Sequence, residues 1–236
     1  MYFLLSGEGA TDIGVGTGAA VVCEGADYLH GPMALIVDHI VERRHHYSLL
    51  EAQCCGYVSE HHLDDRGGEL KTARKSLGLP GPKRPIETRY FFNHARILAR
   101  IARQRQVESE DEVIVVLFHD SDGTVSAGRG LWDDTYNSIA DGFQKEEFAK
   151  GVPMVAKPKS EAWLISGITG GRNHEGRALE DWSGNDKSPN SLKKALEKLI
   201  GQAATRESLC DLIRGGACDC EKIDLPKFKT FREQLV

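Results

Sequence analysis

The chain has 236 residues, of which 40% are hydrophobic and 28% charged, and its formal net charge is −5 at pH 7. This size suits one α/β domain with insertions, which can bury a core without disulfide staples. The six cysteines have neither a disulfide framework nor the spacing of a zinc site, and no segment resembles a signal peptide or a membrane span. We therefore expect a cytoplasmic protein with free thiols and no membrane partner.

Strands and helices alternate along the predicted chain, which favours an α/β fold with a mostly parallel sheet. Residues 45–88 have no clear periodicity and predict an insertion or a flexible loop. Ser188 is predicted to cap the helix that begins near Pro189. In chain order the predicted elements are a strand at 2–6, a helix at 32–44, a helix at 93–106, a buried strand at 112–119, a helix near 135–150, a strand leading into a helix within 152–165, an amphipathic helix within 188–202 and a closing helix at 225–235.

The most hydrophobic segment, VIVVLFHDSDGT at 113–124, ends on two acids. Its apolar run is typical of a strand buried on both faces of a parallel sheet. Asp120 and Asp122 stand one residue apart and repel each other unless a cation lies between them, and carboxylate oxygens are ligands of divalent metals. The alternative is a strand-end turn, because Asp-Ser-Asp-Gly is also favourable turn chemistry.

A second acidic pair follows the first strand, in the segment LLSGEGATDIG. Glu8 comes directly after that strand with a glycine on each side, and Asp12 lies four residues later. Open α/β sheets bind ligands outside the carboxyl ends of their strands, so both acidic pairs are predicted to surround one site. For Asp12, capping of a helix N-terminus is an equal alternative.

These motifs carry a resemblance to a known family. A strand ending in Glu-Gly and a later strand ending in Asp-x-Asp resemble the Toprim fold of topoisomerases, bacterial primases and nucleases of the OLD (overcoming lysogenization defect) family. EGATD looks like the OLD-type form of the first motif, and KPKSEAWLI is similar to a segment of small stand-alone Toprim-like proteins encoded beside ATPases. The resemblance implies a Toprim-like catalytic domain at 1–170, with a helical extension at 171–236 packed on it.

The same resemblance implies a metal-dependent nuclease, with roles for individual residues. Glu8 would bind metal or transfer a proton, Asp120 and Asp122 would hold Mg²⁺ or Mn²⁺, and Asp12 would be an auxiliary ligand. Lys159 would neutralise charge on the phosphate and Glu161 would complete the metal site, although these two could equally be a surface pair. The resemblance further implies an ATPase partner protein and a setting in phage defence. The glycine-rich GVGTGAA after Asp12 departs from the family pattern.

Positive charge is concentrated in residues 71–106, which hold ten basic side chains and one acid, so that this segment carries +9 and the remainder −14. Within it, Arg96, Arg100 and Arg103 share one helical face near three aromatic residues. The pattern is consistent with DNA or RNA binding, and a solvated face is an equal alternative. Two other functions stay open: a non-catalytic nucleic-acid or protein-binding subunit, and another phosphotransfer or nucleotide-processing enzyme.

Overall fold

A five-stranded sheet forms the centre of the fold. The computed structural model describes residues 1–67, 70, 86–121, 132–189 and 191–235. The strand order is β3-β5-β1-β6-β7, and all neighbouring strands are parallel except β3, which runs antiparallel to β5. The strands are β1 (Tyr2–Gly7), β2 (Gly14–Gly16), β3 (Cys23–Glu24), β4 (Tyr28–His30), β5 (Cys55–Ser59), β6 (Val113–Asp120), β7 (Gly151–Ala156), β8 (Asn173–His174) and β9 (Arg177–Ala178).

Helices cover both faces of the sheet, and side-chain alternation along the strands divides the core accordingly. Phe3 of β1 and Val116 of β6 face α1, α5 and the C-terminal helices, whereas Leu4 and Val115 face α3 and α4. The helices are α1 (Pro32–His45), α2 (Glu60–Gly67), α3 (Ile86–Ser109), α4 (Trp132–Lys145), α5 (Ser160–Thr169), α6 (Leu192–Ile200), α7 (Arg206–Arg214) and α8 (Pro226–Leu235). No helix in the described part of the chain is both long and apolar enough to cross a membrane.

The order of the parallel strands creates a switch point between β1 and β6. From β1 the chain first adds β5 on one side and then crosses to add β6 on the other side. Connections on the two sides of such a point diverge and leave a crevice at the carboxyl ends of the strands. The residues that follow β1 and β6 therefore line the position where this fold class binds ligands.

The prediction of an α/β fold with a mostly parallel sheet is confirmed, and the two most apolar predicted strands are β1 and β6. The C-terminal helices belong to the same core, since the Trp163 ring lies 5.0 Å from Phe228 and 5.8 Å from Phe231. A Toprim-like identity and the division at residue 170 stay predictions.

Two sequence predictions about local structure are wrong. Residues 45–88 are predicted to be an insertion or a flexible loop, but their described part contains β5, which pairs with β1 inside the sheet, and α2. Residues 68–69 and 71–85 lie outside the described residues. The strand CGYVS is too short and too mixed to form an apolar run, and α2 has one buried apolar residue, Leu63. The cap of α6 is Ser191, whose side chain accepts a hydrogen bond from the Lys194 amide, and not Ser188.

Candidate functional site

Polar residues end or follow all four parallel strands at one edge of the sheet. Glu60 follows β5, Glu8 follows β1, and His119 and Asp120 end β6. Ser160 begins α5, the helix after β7. Because parallel strands all point the same way, these residues lie together at the carboxyl edge, on both sides of the switch point.

Glu8 lies across the switch point from β6. Gly7 permits this close approach, since a Cβ atom there would lie 2.3 Å from the Phe118 carbonyl oxygen. The Asp120 amide donates a 2.7 Å hydrogen bond to Oε1 of Glu8. Burial acts to raise the pKa of Glu8, but the His119 ring, the Asp120 amide and the charge of Lys159 outweigh it and hold the pKa below its usual value. Glu8 is thus an oriented, ionised carboxylate.

On the α3 side of the sheet edge, Glu8, Glu60 and His119 form what we call the His119 cluster. One ligand atom from each residue lies within 4.8 Å of the other two, and among the described residues this is the one group of three His, Cys, Asp or Glu side chains that meets this distance. His119 is fully buried, and neither of its ring nitrogens makes a hydrogen bond. Its Nδ1 lies 3.5 Å from Oε2 of Glu8. The Tyr90 hydroxyl donates a hydrogen bond to Glu60.

On the α5 side, Asp12, Asp120, Lys159, Ser160 and Glu161 form what we call the Ser160 cluster. The Ser160 amide donates to Oδ1 of Asp120 at 2.9 Å, as the N-terminus of a helix commonly does for an acid. The Ser160 hydroxyl donates to Oδ1 of Asp12 at 2.5 Å. Ser160 therefore links the acid after β1 to the acid that ends β6.

Two acids of the Ser160 cluster, Asp12 and Glu161, hold protons more tightly than free acids do. Burial raises the pKa of Asp12, against the hydrogen bonds from Ser160 and Thr11. Burial also raises the pKa of Glu161 to about 7, and the charges of Asp12 and Asp186 add to this rise. A carboxyl group with a pKa near neutrality can both take and give a proton at physiological pH.

Lys159 lies among these acids, and its Nζ is 3.0 Å from each carboxylate oxygen of Asp186. Its positive charge acts to lower the pKa values of Glu8, Asp12 and Glu161, although burial outweighs it at Asp12 and Glu161. Because such charge effects weaken with distance, Lys159 lies near all three acids, and Asp186 offsets part of its charge.

The predicted site residues thus reach one edge of the sheet but do not form one cluster. Glu8 lies in the His119 cluster, and Asp12, Asp120, Lys159 and Glu161 lie in the Ser160 cluster. Asp122 lies outside the described residues. The sequence prediction missed Glu60 and His119. Glu60, like Glu8, is an acid directly after a strand, but the sequence pattern did not predict β5. His119 was predicted only as part of the buried strand and not as a site residue.

The predicted nucleic-acid-binding arginines share a single acidic residue. Nε of Arg96 donates to Glu146 at 2.6 Å, and Nε of Arg100 donates to it at 2.9 Å. Arg103 donates to the Glu146 backbone carbonyl. The three arginines do lie on one face of α3, and Glu146 offsets part of their charge.

Comparison with protein-family models, with curated proteins and with solved structures finds no match to this chain. The geometry of Glu8, Asp120 and their neighbours at the carboxyl edge of the sheet is therefore the basis for a functional proposal.

Proposed function

We propose that this protein is a divalent-metal-dependent nuclease that hydrolyses phosphodiester bonds of DNA or RNA. The observation that carries the proposal is the meeting of Glu8 and Asp120 at the switch point of a parallel sheet, where the Asp120 amide binds the Glu8 carboxylate. Carboxylates from two strand ends, with Glu60 and Lys159 beside them, are a donor set suited to a divalent cation and a phosphate.

The side chains at this edge fit a divalent cation, because the buried His119 nitrogens lack hydrogen bonds beside two carboxylates. When bound, Mg²⁺ or Mn²⁺ supplies activation of water and neutralisation of phosphoryl oxygens. Glu8, which adjoins both His119 and Asp120, would hold the cation, with Asp120, Asp12 and Asp122 as the further ligands implied by the resemblance. Hydrogen bonds donated by the backbone amides of Asp120 and Ser160 keep the carboxylates of Glu8 and Asp120 oriented for this task.

Two further residues would act on the substrate. The Lys159 ammonium group, held by Asp186, would stabilise negative charge on the scissile phosphate. Glu161, whose pKa is raised to about 7 by burial, would hold or release a proton at the leaving oxygen. This role for Glu161 replaces the metal-ligand role implied by the resemblance.

A second candidate is hydrolysis of a small phosphodiester or nucleotide. The observation that favours it is the engagement of Arg96, Arg100 and Arg103 with Glu146, which reduces the positive charge that α3 offers to a polymer. A polymer substrate predicts that the remaining positive charge still contributes to binding. A small substrate predicts that the charge of α3 is irrelevant to turnover.

The test is to incubate the purified protein with plasmid, single-stranded DNA, structured RNA and bis-p-nitrophenyl phosphate, each with Mg²⁺, with Mn²⁺ and with EDTA. We expect cleavage with metal only, reduced on the order of 1000-fold in Asp120→Asn, because metal stabilisation of the transition state contributes several kcal/mol. Asp111→Asn, at the opposite end of β6, is the matched control and should cleave normally.

Metal-dependent cleavage that is equal in Asp120→Asn and the unmodified protein would contradict the proposal. So would an absence of cleavage together with equal metal binding by the two proteins. Preference for bis-p-nitrophenyl phosphate over all polymers would select the second candidate. Absence of cleavage with metal binding lost in Asp120→Asn would support the site and direct the search to a protein partner.

A further inference from the structure

We propose that Glu8, Glu60 and His119 form a binding site for a divalent transition-metal ion, represented by Mn²⁺, that discriminates against Mg²⁺. The inference deepens the proposed function and rests on it only for what the metal does in hydrolysis; the binding site itself stands on separate observations. It assigns metal ligation to Glu60 and His119, which follow or end two strands on opposite sides of β1.

The first observation is the buried imidazole. His119 has no exposed surface, and neither Nδ1 nor Nε2 makes a hydrogen bond. Buried polar side-chain atoms almost always have a hydrogen-bond partner, because an unsatisfied atom has lost its hydration without replacement. A ring nitrogen that lies 3.5 Å from a carboxylate oxygen is in position to bind a cation between them.

The second observation is the arrangement of the ligand atoms. The three side chains come from the ends of β1, β5 and β6, which are adjacent strands, and their ligand atoms lie within 4.8 Å of one another. With bond lengths of about 2.0–2.2 Å, two ligand atoms on one ion lie at most about 4.4 Å apart, so a side-chain shift of a few tenths of an ångström lets one ion touch all three. Glu8 and Glu60 are both partly buried acids, and their like charges repel each other unless a cation lies between them.

The third observation is the set of groups that orient the ligands. The Asp120 amide donates to Glu8, and the Tyr90 hydroxyl donates to Glu60. Metal-binding side chains commonly have such outer partners, which fix their orientation. The Phe91 ring, 4.8 Å from the His119 ring, and the Tyr90 ring, 6.0 Å from it, pack against the imidazole and help to bury it.

The chemistry of the donors selects the metal. Mg²⁺ favours oxygen ligands and keeps several waters, whereas an imidazole nitrogen suits first-row transition metals. Two carboxylates with one imidazole form a mixed set that accepts Mn²⁺ and similar ions. We therefore expect Mn²⁺ to bind at least about tenfold more tightly than Mg²⁺.

The test measures Mn²⁺ binding by the loss of the free-ion EPR signal, and Mg²⁺ binding by competition. Glu60→Gln should lower Mn²⁺ affinity at least about tenfold, since it removes a charged ligand but keeps the side-chain shape. Glu108→Gln is the matched control: it makes the same change at an exposed acid near the end of α3 and should alter Mn²⁺ affinity less than about threefold.

Because His119 is buried and its variants can fail to fold, the imidazole is tested in the unmodified protein. Pulsed EPR of bound Mn²⁺ should show coupling to a histidine nitrogen. Bound Mn²⁺ without nitrogen coupling, unchanged affinity in Glu60→Gln, equal affinity for Mn²⁺ and Mg²⁺, or no Mn²⁺ binding would each overturn the inference.

The two proposals can fail separately. The protein could bind Mn²⁺ in a way that needs Glu60 and yet cleave no phosphodiester. That outcome would retain the metal site and reject the proposed nuclease activity. The converse outcome would be cleavage that is lost in Asp120→Asn while Glu60→Gln binds Mn²⁺ normally. That outcome would retain the proposed nuclease activity and reject the metal site at Glu8, Glu60 and His119.

Discussion

The His119 cluster and the Ser160 cluster lie at the same edge of the same sheet but differ in how their polar atoms are satisfied. In the Ser160 cluster, protein donors reach the acids: Ser160 supplies its amide to Asp120 and its hydroxyl to Asp12. In the His119 cluster, Asp120 and Tyr90 likewise donate to Glu8 and Glu60, but the buried imidazole makes no hydrogen bond and its Nδ1 lies 3.5 Å from Oε2 of Glu8. The acids of both clusters are thus stabilised by the protein itself, and the imidazole is the feature from which we infer an external cation.

Side-chain alternation explains why neighbouring residues belong to different clusters. His119 and Asp120 are consecutive in β6, so their side chains point to opposite faces of the sheet. The Glu8 carboxylate accepts a hydrogen bond from the Asp120 backbone amide, and its other oxygen lies 3.5 Å from the His119 ring. Glu8 is therefore the residue that the two clusters share.

The largest expected effect comes from removing the charge of Glu8. Glu8→Gln should reduce metal-dependent cleavage on the order of 1000-fold, because it removes the charged ligand that adjoins both His119 and Asp120. Asp12→Asn keeps its hydrogen bond with Ser160 and should reduce cleavage only about tenfold. Single-turnover rates at saturating Mn²⁺ measure both. Equal losses in the two variants would remove the distinction between the clusters.

The next effect concerns the buried acid of the Ser160 cluster. Because the pKa of Glu161 is raised from 4.5 to about 7, the folded state retains a proton that the unfolded state releases. The free energy of unfolding should therefore fall as pH rises from about 4.5 to 7, by up to roughly 3 kcal/mol. Glu161→Gln should abolish this fall and be more stable than the unmodified protein at pH 8.

Urea denaturation in EDTA at pH 5 and at pH 8 measures this change without bound metal. Glu108→Gln, an exposed change near the end of α3, is the control and should keep the pH dependence of the unmodified protein. If Glu161→Gln and the unmodified protein lose the same stability between the two pH values, burial does not perturb Glu161.

A smaller effect is expected at Ser160 itself. Ser160→Ala removes the hydroxyl that binds Asp12 but keeps the amide that binds Asp120, so it should lower the free energy of unfolding by about 1.5–3 kcal/mol.

The Mn²⁺ affinity of Ser160→Ala should stay within about threefold of that of the unmodified protein if the metal lies in the His119 cluster. Ser109→Ala, at an exposed hydroxyl, should change stability by less than about 0.5 kcal/mol. A large loss of Mn²⁺ affinity in Ser160→Ala would move the metal to the Ser160 cluster.

The smallest effect is expected at Tyr90, which touches Glu60 without being a ligand. Tyr90→Phe should weaken Mn²⁺ binding about tenfold, because Glu60 keeps its charge and loses only its orienting hydroxyl. Tyr136→Phe is the control, since Tyr136 lines a cavity with Met1 and Glu112 at the opposite edge of the sheet. Unchanged Mn²⁺ affinity in Tyr90→Phe would mean that the Tyr90 hydroxyl does not help to orient Glu60 for the metal.

Much of the fold was predictable because it depends on local pattern. The uninterrupted apolar residues of β6 and the short apolar β1 predict strands buried on both faces, and buried parallel strands require helices on both sides. Positions at strand ends follow from the same pattern, so Glu8 and Asp120 were predictable as residues of one sheet edge. The strand β5 was not predictable from the sequence, because its five residues become buried only by pairing with β1 and β3.

The sequence by itself determined the α/β class, the two main strands and the acids at their ends, since these depend on residues close together in the chain. Only the tertiary structure decided that Glu60 joins Glu8 and His119, that Ser160 reaches Asp12 across 148 positions, and that Glu146 occupies the arginines of α3. The physical reason is that strand order, and the face toward which each residue points, set these contacts. Strand order results from packing of the whole chain, which no local pattern specifies.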